Sequence, residues 1–300
     1  MLDSYKREWI KLFKHPSTIW LLFFFSLFIV YSYVSVGFQF QNLFTLFVEN
    51  SIFNEQQTIE YIRRSDIDEP LVALLYIVSP SMAMTYSLAA INTIGPIVFS
   101  VTGALLFGVE YRHSTILQLW NSGLTKVEIL VAKLFSLLSF VTFFIIIYII
   151  LGFIMSYVTP IIFDLPMGLV SSRVAVNYSV TFLQISGTIL SLLLWAVFAA
   201  CITVVSKSLS SGIIVGFFYP IIESSVMHNW TIGQWFPLFV QKSMLPILFK
   251  ETAYGGIVSF YPMPDTYTLA ETFIGVTIYI ILLIFLMLIV LRRQRIHTSN

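Results

Sequence analysis

Long apolar runs separated by short polar links set the pattern of this chain. The stretch 135–157 contains no charged residue and is long enough to cross a bilayer, which takes about 20 mostly apolar residues as a helix. Strands of a membrane barrel would instead show roughly ten-residue segments of alternating polarity, and these are absent. Helices satisfy their own backbone groups in lipid, so the pattern predicts helical spans. Six are expected, at 17–37, 88–109, 129–158, 181–205, 211–227 and 272–291. The fold class that follows is an all-α polytopic membrane protein, built as a single transmembrane domain over 1–300.

The links differ in character. Residues 1–16 read as an amphipathic interfacial helix: Leu2, Tyr5, Trp9, Leu12 and Phe13 recur at three- and four-residue spacing, with Lys6, Arg7, Lys11 and Lys14 between them. Pro16 and Ser17 mark the turn into the first span. Such a helix lies along the membrane surface, with Trp9 at headgroup level and the lysines toward anionic lipid. Residues 38–87 form a polar-to-mixed outer segment carrying Glu49, Glu55, Glu60, Arg63, Arg64, Asp66, Asp68 and Glu69. Within it the apolar run 71–79 is too short to cross, and a helix at the interface or packed on the spans is expected. Residues 228–271 are rich in aromatics and proline and read as an outer re-entrant hairpin.

Composition excludes a water-soluble surface. The chain is 58% hydrophobic and 10% charged, with a mean hydropathy of +0.89, against about 25% charged residues in a soluble domain. Its net charge of +1 gives no reason to expect a nucleic-acid partner. Orientation follows from Lys and Arg. With the N-terminus inside, the inner parts hold Lys6, Arg7, Lys11, Lys14, Arg112, Lys126, Lys133, Lys207, Arg292, Arg293 and Arg295. The outer parts hold Arg63, Arg64, Arg173, Lys242 and Lys250. Both termini are therefore expected in the cytoplasm. The stretch 19–37 is long enough to span and lacks a small-residue cleavage site, so an anchored first helix is expected rather than a cleaved signal. Cys201 lies in an apolar run and reads as a small packed residue. The four histidines are scattered, no H-E-x-x-H occurs, and neither a metal site nor a catalytic residue is expected.

The most informative link is 110–128. Glu110 and Arg112 sit at the inner end of the second span. Ser114 or Thr115 could cap a short helix over 116–120, which Asn121, Ser122 and Gly123 would end. Thr125 could cap the next helix, with Glu128 as its capping-box partner, and that helix carries Lys126 and Lys133 into the third span. The product is a short cytoplasmic helix held crosswise between two spans, able to receive a push from a partner.

These features resemble the membrane subunit of type-2 ABC transporters, the permeases of the ABC-2 superfamily. The resemblance rests on the basic N-terminal helix with Pro16 and on Gly108-Val109-Glu110. It continues in Ser114-Thr115, where the family often has Gly-Thr, and in Ser122-Gly123-Leu124-Thr125-Lys126 followed by Lys133. Ser114 for Gly and Gly123 for Pro are departures. The resemblance implies that 110–128 is a coupling helix, with Glu110, Arg112, Ser114, Thr115, Leu119 and Lys126 contacting a cytosolic ABC ATPase subunit. It implies a second permease, as homodimer or heterodimer, and a place in the bacterial plasma membrane. The chain has no G-x-x-x-x-G-K-[ST] loop, so ATP and Mg would be held by the partner and no cofactor by this chain.

Phe217, Phe218, Tyr219, Glu223 and Phe236 are candidates for a substrate path or gate. Glu223 follows Pro220 and is an ionisable group inside a span. An aromatic path would suit a lipid, a drug or an antimicrobial peptide, and the resemblance implies export. Two other classes remain open: an ion-coupled secondary transporter, which commonly shows midplane charges and inverted repeats, and a ligand-sensing or enzymatic membrane protein.

Overall fold

The structure, a computed structural model, describes residues 2–50, 54–65, 69–112, 125–169, 178–223, 236–237 and 268–294. All regular structure among these residues is helical. The elements are α1 (Leu2–Lys14), α2 (Pro16–Asn50), α3 (Glu55–Arg64), α4 (Pro70–Ile77), α5 (Ala83–Arg112), α6 (Lys126–Ile162), α7 (Tyr178–Ser206), α8 (Leu209–Ile222) and α9 (Leu269–Arg293), with one 3-10 turn at Met167–Leu169. Five of them, α2, α5, α6, α7 and α9, are long and apolar enough to cross a membrane. The protein is an all-α, membrane-embedded bundle.

α5 is the central helix. It packs against α7, α8, α6 and α2, while α9 lies on α7 and α6. The α5–α7 contact is close because one side offers no side chain: a Cβ on Gly103 would overlap the Ala196 carbonyl. α8 approaches in the same way, with Gly212 against Thr203 and Gly216 against Ser100. Small residues let membrane helices interlock where apolar burial alone gives no drive to associate. The turn from α7 to α8 takes two residues. Lys207 adopts a positive φ of 54°, and Ser208 accepts from the Ser211 amide as an N-cap.

One expected boundary is corrected. The first span does not stop at Gly37: α2 runs unbroken to Asn50, and its 35 residues rise about 52 Å, beyond a hydrocarbon core of about 30 Å. Gln39, Gln41 and Asn42 mark where polarity rises, but they are compatible with helix, so the helix continues. The segment 38–87 is consequently helical in large part. Asn54 and Gln57 form a capping box that starts α3, and Pro70 occupies the first turn of α4. Every residue from Leu71 to Ile77 is buried, so the short apolar run packs on the spans, chiefly on α2. α8 begins at Leu209, two residues before the expected span 211–227, and has 14 residues, about 21 Å; 224–227 lie outside the described residues.

Candidate functional site

One end of the bundle gathers α1, the start of α2, the ends of α5, α7 and α9, and the start of α6. The amphipathic pattern of α1 is realised, and its stripe packs on protein. Trp9 lies 4.8 Å from the Phe13 ring and 6.3 Å and 6.1 Å from Phe140 and Phe143 of α6. The Tyr5 hydroxyl donates to Ser139 at 3.0 Å. Glu8 falls on this same apolar stripe, so docking α1 drives its carboxylate into the bundle, where the residue is 4% exposed.

There it meets Lys133, which is 2% exposed. The ammonium donates to Glu8 Oε2 at 2.9 Å, to Glu110 Oε1 at 2.9 Å and to the Leu106 carbonyl at 2.7 Å. An ammonium has three donors, and all three are used. Its Nζ also stands 5.2 Å from the centre of the Phe107 ring. Lys11, on the wet side, closes the group with bonds to Glu8 Oε1 at 2.7 Å and Glu110 Oε1 at 3.0 Å. Two carboxylates thus face two ammonium groups. Burial alone would raise the Glu8 pKa, but the Lys133 charge and the Lys11 hydrogen bond outweigh it and hold the carboxyl below its ordinary value. Burial likewise opposes the Lys11 charge, and Glu110 with Glu8 outweighs it, so the Lys11 pKa is raised. The group neutralises itself and offers no open face to a cation. Its effect is mechanical: α1, α5 and α6 are joined through one buried lysine.

A second tie lies beside it. Thr125 caps α6 with Glu128 in the expected capping box. Lys126 donates to the Leu291 carbonyl at 2.9 Å and to the Gln294 carbonyl, so it binds the C-terminus of α9, where a cation also meets the negative end of the helix dipole. The Tyr111 hydroxyl donates to Gln294 Oε1 at 3.3 Å, and Gln294 Nε2 donates to the Val204 carbonyl of α7 at 3.3 Å. Residues on both sides of the 113–124 link therefore reach Gln294.

The sequence-derived coupling set is divided by this geometry. Glu110 is 5% exposed and its carboxylate is turned inward onto Lys11 and Lys133. Lys126 is spent on the α9 terminus. Arg112 ends α5, with its side chain outside the described residues, as are Ser114, Thr115 and Leu119. The path set also separates. Phe217 and Phe218 are 40% and 50% exposed, whereas Tyr219 turns inward to Phe198 and Trp195, at 4.8 Å and 6.3 Å. Its hydroxyl donates to Glu223, which is fully buried. Phe236 is half-buried. Glu8 was missed as a site residue although its position on the apolar stripe of α1 signalled it. Lys133, noted only as a basic residue of the link, likewise stands as the only charged residue between Glu128 and the end of its span.

Scans against protein-family models, curated proteins and solved structures return no match.

Proposed function

We propose that this chain is the permease subunit of an ATP-driven exporter of the type-2 ABC class, working in a bacterial plasma membrane with both termini inside. The observation that carries the reading is the buried Glu8–Lys133–Glu110 junction. It fixes the surface helix α1 to the two spans that flank the 113–124 link. Force applied to that link reaches α5 and α6 directly, α1 through Lys133, and α7 and α9 through Gln294. A rigid base of this kind suits a two-state membrane domain whose equilibrium is set by a partner on the cytosolic side. The partner is a cytosolic ABC ATPase subunit holding ATP and Mg. A second permease completes the path, α8 serves as the fifth of six spans, and the cargo is hydrophobic or amphipathic.

Affinity purification in mild detergent, with mass spectrometry of the co-purifying proteins, tests this. A stoichiometric ATPase subunit, together with ATP-dependent uptake of an amphipathic compound by inside-out vesicles, is the expected result. A chain that purifies alone and transports with an ion gradient and no ATP would overturn it.

A further inference from the structure

At the corner where α1 turns into α2 lies a cavity of about 340 Å³. Its walls are apolar: Ile10 and Leu12 of α1, and Leu105, Leu106 and Val109 of α5. Its rim is basic through Lys14, beside His15; Lys11 also lines it, with its charge balanced by Glu8 and Glu110. Thr18 also lines it. This residue is 0% exposed, and its hydroxyl has no hydrogen-bond partner among the described residues; the same holds for Nδ1 of His15. Two polar atoms buried without partners cost stability unless something binds them. Thr18 sits in the first turn of the 35-residue α2, where the helix dipole favours an anion.

We infer that this cavity binds the phosphate headgroup of an anionic phospholipid, with the upper part of one acyl chain against the apolar wall. The volume is at the lower end of small-molecule sites, about 300–1,000 Å³, so the remaining lipid lies in the bilayer. A free phosphate would leave the apolar wall empty, and a neutral lipid would leave the basic rim unmatched. The rim belongs to the end of the bundle that also carries Lys126, Arg292 and Arg293, the end placed at the inner leaflet by the distribution of basic residues. Lys11 is shared between the rim and the ion cluster, so headgroup binding acts on the same lysine that closes the junction. The inference rests on the bilayer location alone and stands whether or not an ATPase partner exists.

Native mass spectrometry of the delipidated full chain, titrated with dioleoyl phosphatidylglycerol or dioleoyl phosphatidylcholine, tests it. One phosphatidylglycerol per chain should be retained at concentrations that leave phosphatidylcholine unbound. Lys14→Gln should weaken retention about fivefold. Val109→Phe should abolish it by filling the cavity, with helical circular dichroism unchanged. Should Val109→Phe fail to fold, Thr18→Val serves in its place, with weaker retention expected. Equal retention of both lipids, or unchanged retention in Lys14→Gln and in the cavity variant, would overturn the inference. Displacement of the lipid by inorganic phosphate at comparable concentration would also overturn it, in favour of a free-anion site.

Discussion

Between α5 and α7 the buried polar groups are neutral. Thr85 donates to Gln184 at 2.8 Å, Asn92 to Thr188 at 2.9 Å, and Ser100 to the Trp195 carbonyl at 3.3 Å, one above another along the helix pair. At the base the buried polar groups are ions, Glu8, Glu110 and Lys133, brought together from three helices. The neutral seam pairs two helices that already interlock through Gly103 and Ala196, and each bond can be lost singly. The ionic junction has no such tolerance. Removing one member leaves a charge in a dry place, while removing all of them leaves only a packing problem. The seam sets the register of the central pair, and the junction decides whether α1 is joined to it.

The largest predicted effect breaks the ionic side. Lys133→Met should cost about 3–5 kcal/mol, seen as a lower thermal midpoint in detergent, because two carboxylates lose their buried partner. Adding Glu8→Gln and Glu110→Gln to that variant should restore much of the loss. A triple variant no more stable than the single one would contradict the reading of the junction as an ionic unit. On the neutral side the comparable insult is steric. Gly103→Val, which must displace backbone at Ala196, should cost about 1–3 kcal/mol. Thr125→Ala removes the cap at the root of α6 and should cost about 1 kcal/mol. The coupling between Asn92 and Thr188, measured by a double-mutant cycle, should be about 0.6 kcal/mol, and a value as large as that of the ionic group would erase the contrast between seam and junction.

The smallest effect at neutral pH is the titration of Glu8. Its folded pKa lies below its ordinary value of 4.5, so its stabilising contribution is complete above that pH. It should be lost as pH falls through the lower folded value. Unfolding midpoints followed from pH 7 downward should drop below about pH 4.5, and Glu8→Gln should flatten that part of the curve.

Local chemistry was legible in the sequence. Thr125 and Glu128 announce a helix start through residues three apart, and the structure has that capping box. The amphipathic α1 and a short helix within 71–79 were legible for the same reason, since each is a short-range pattern, but the sequence left open whether the second lies at the interface or packs on the spans. Helix ends were less so. Gly37 and the glutamines after it report where polarity rises, which is a statement about side chains, while α2 goes on to Asn50 because nothing there breaks a helix. The junction was the least legible feature. Glu8, Glu110 and Lys133 are each unremarkable polar residues near a span end, and only tertiary packing reveals that they form one buried ion cluster. The seam was hidden likewise, because Thr85, Asn92 and Gln184 barely lower the hydropathy of their runs. The residues 113–124, which hold half of the expected coupling set, lie outside the described residues.

Synthesis runs from the N-terminus, and this order bears on Lys133. Glu8 leaves the ribosome 125 residues before that lysine, and Glu110 leaves it 23 residues before. When α6 enters the membrane with a cation in its second turn, both counter-ions are already made. The buried cation is thus the last of its set to arrive. A chain in which α1 has failed to dock would leave that lysine without one of its three hydrogen-bond partners, and with one carboxylate where it should have two.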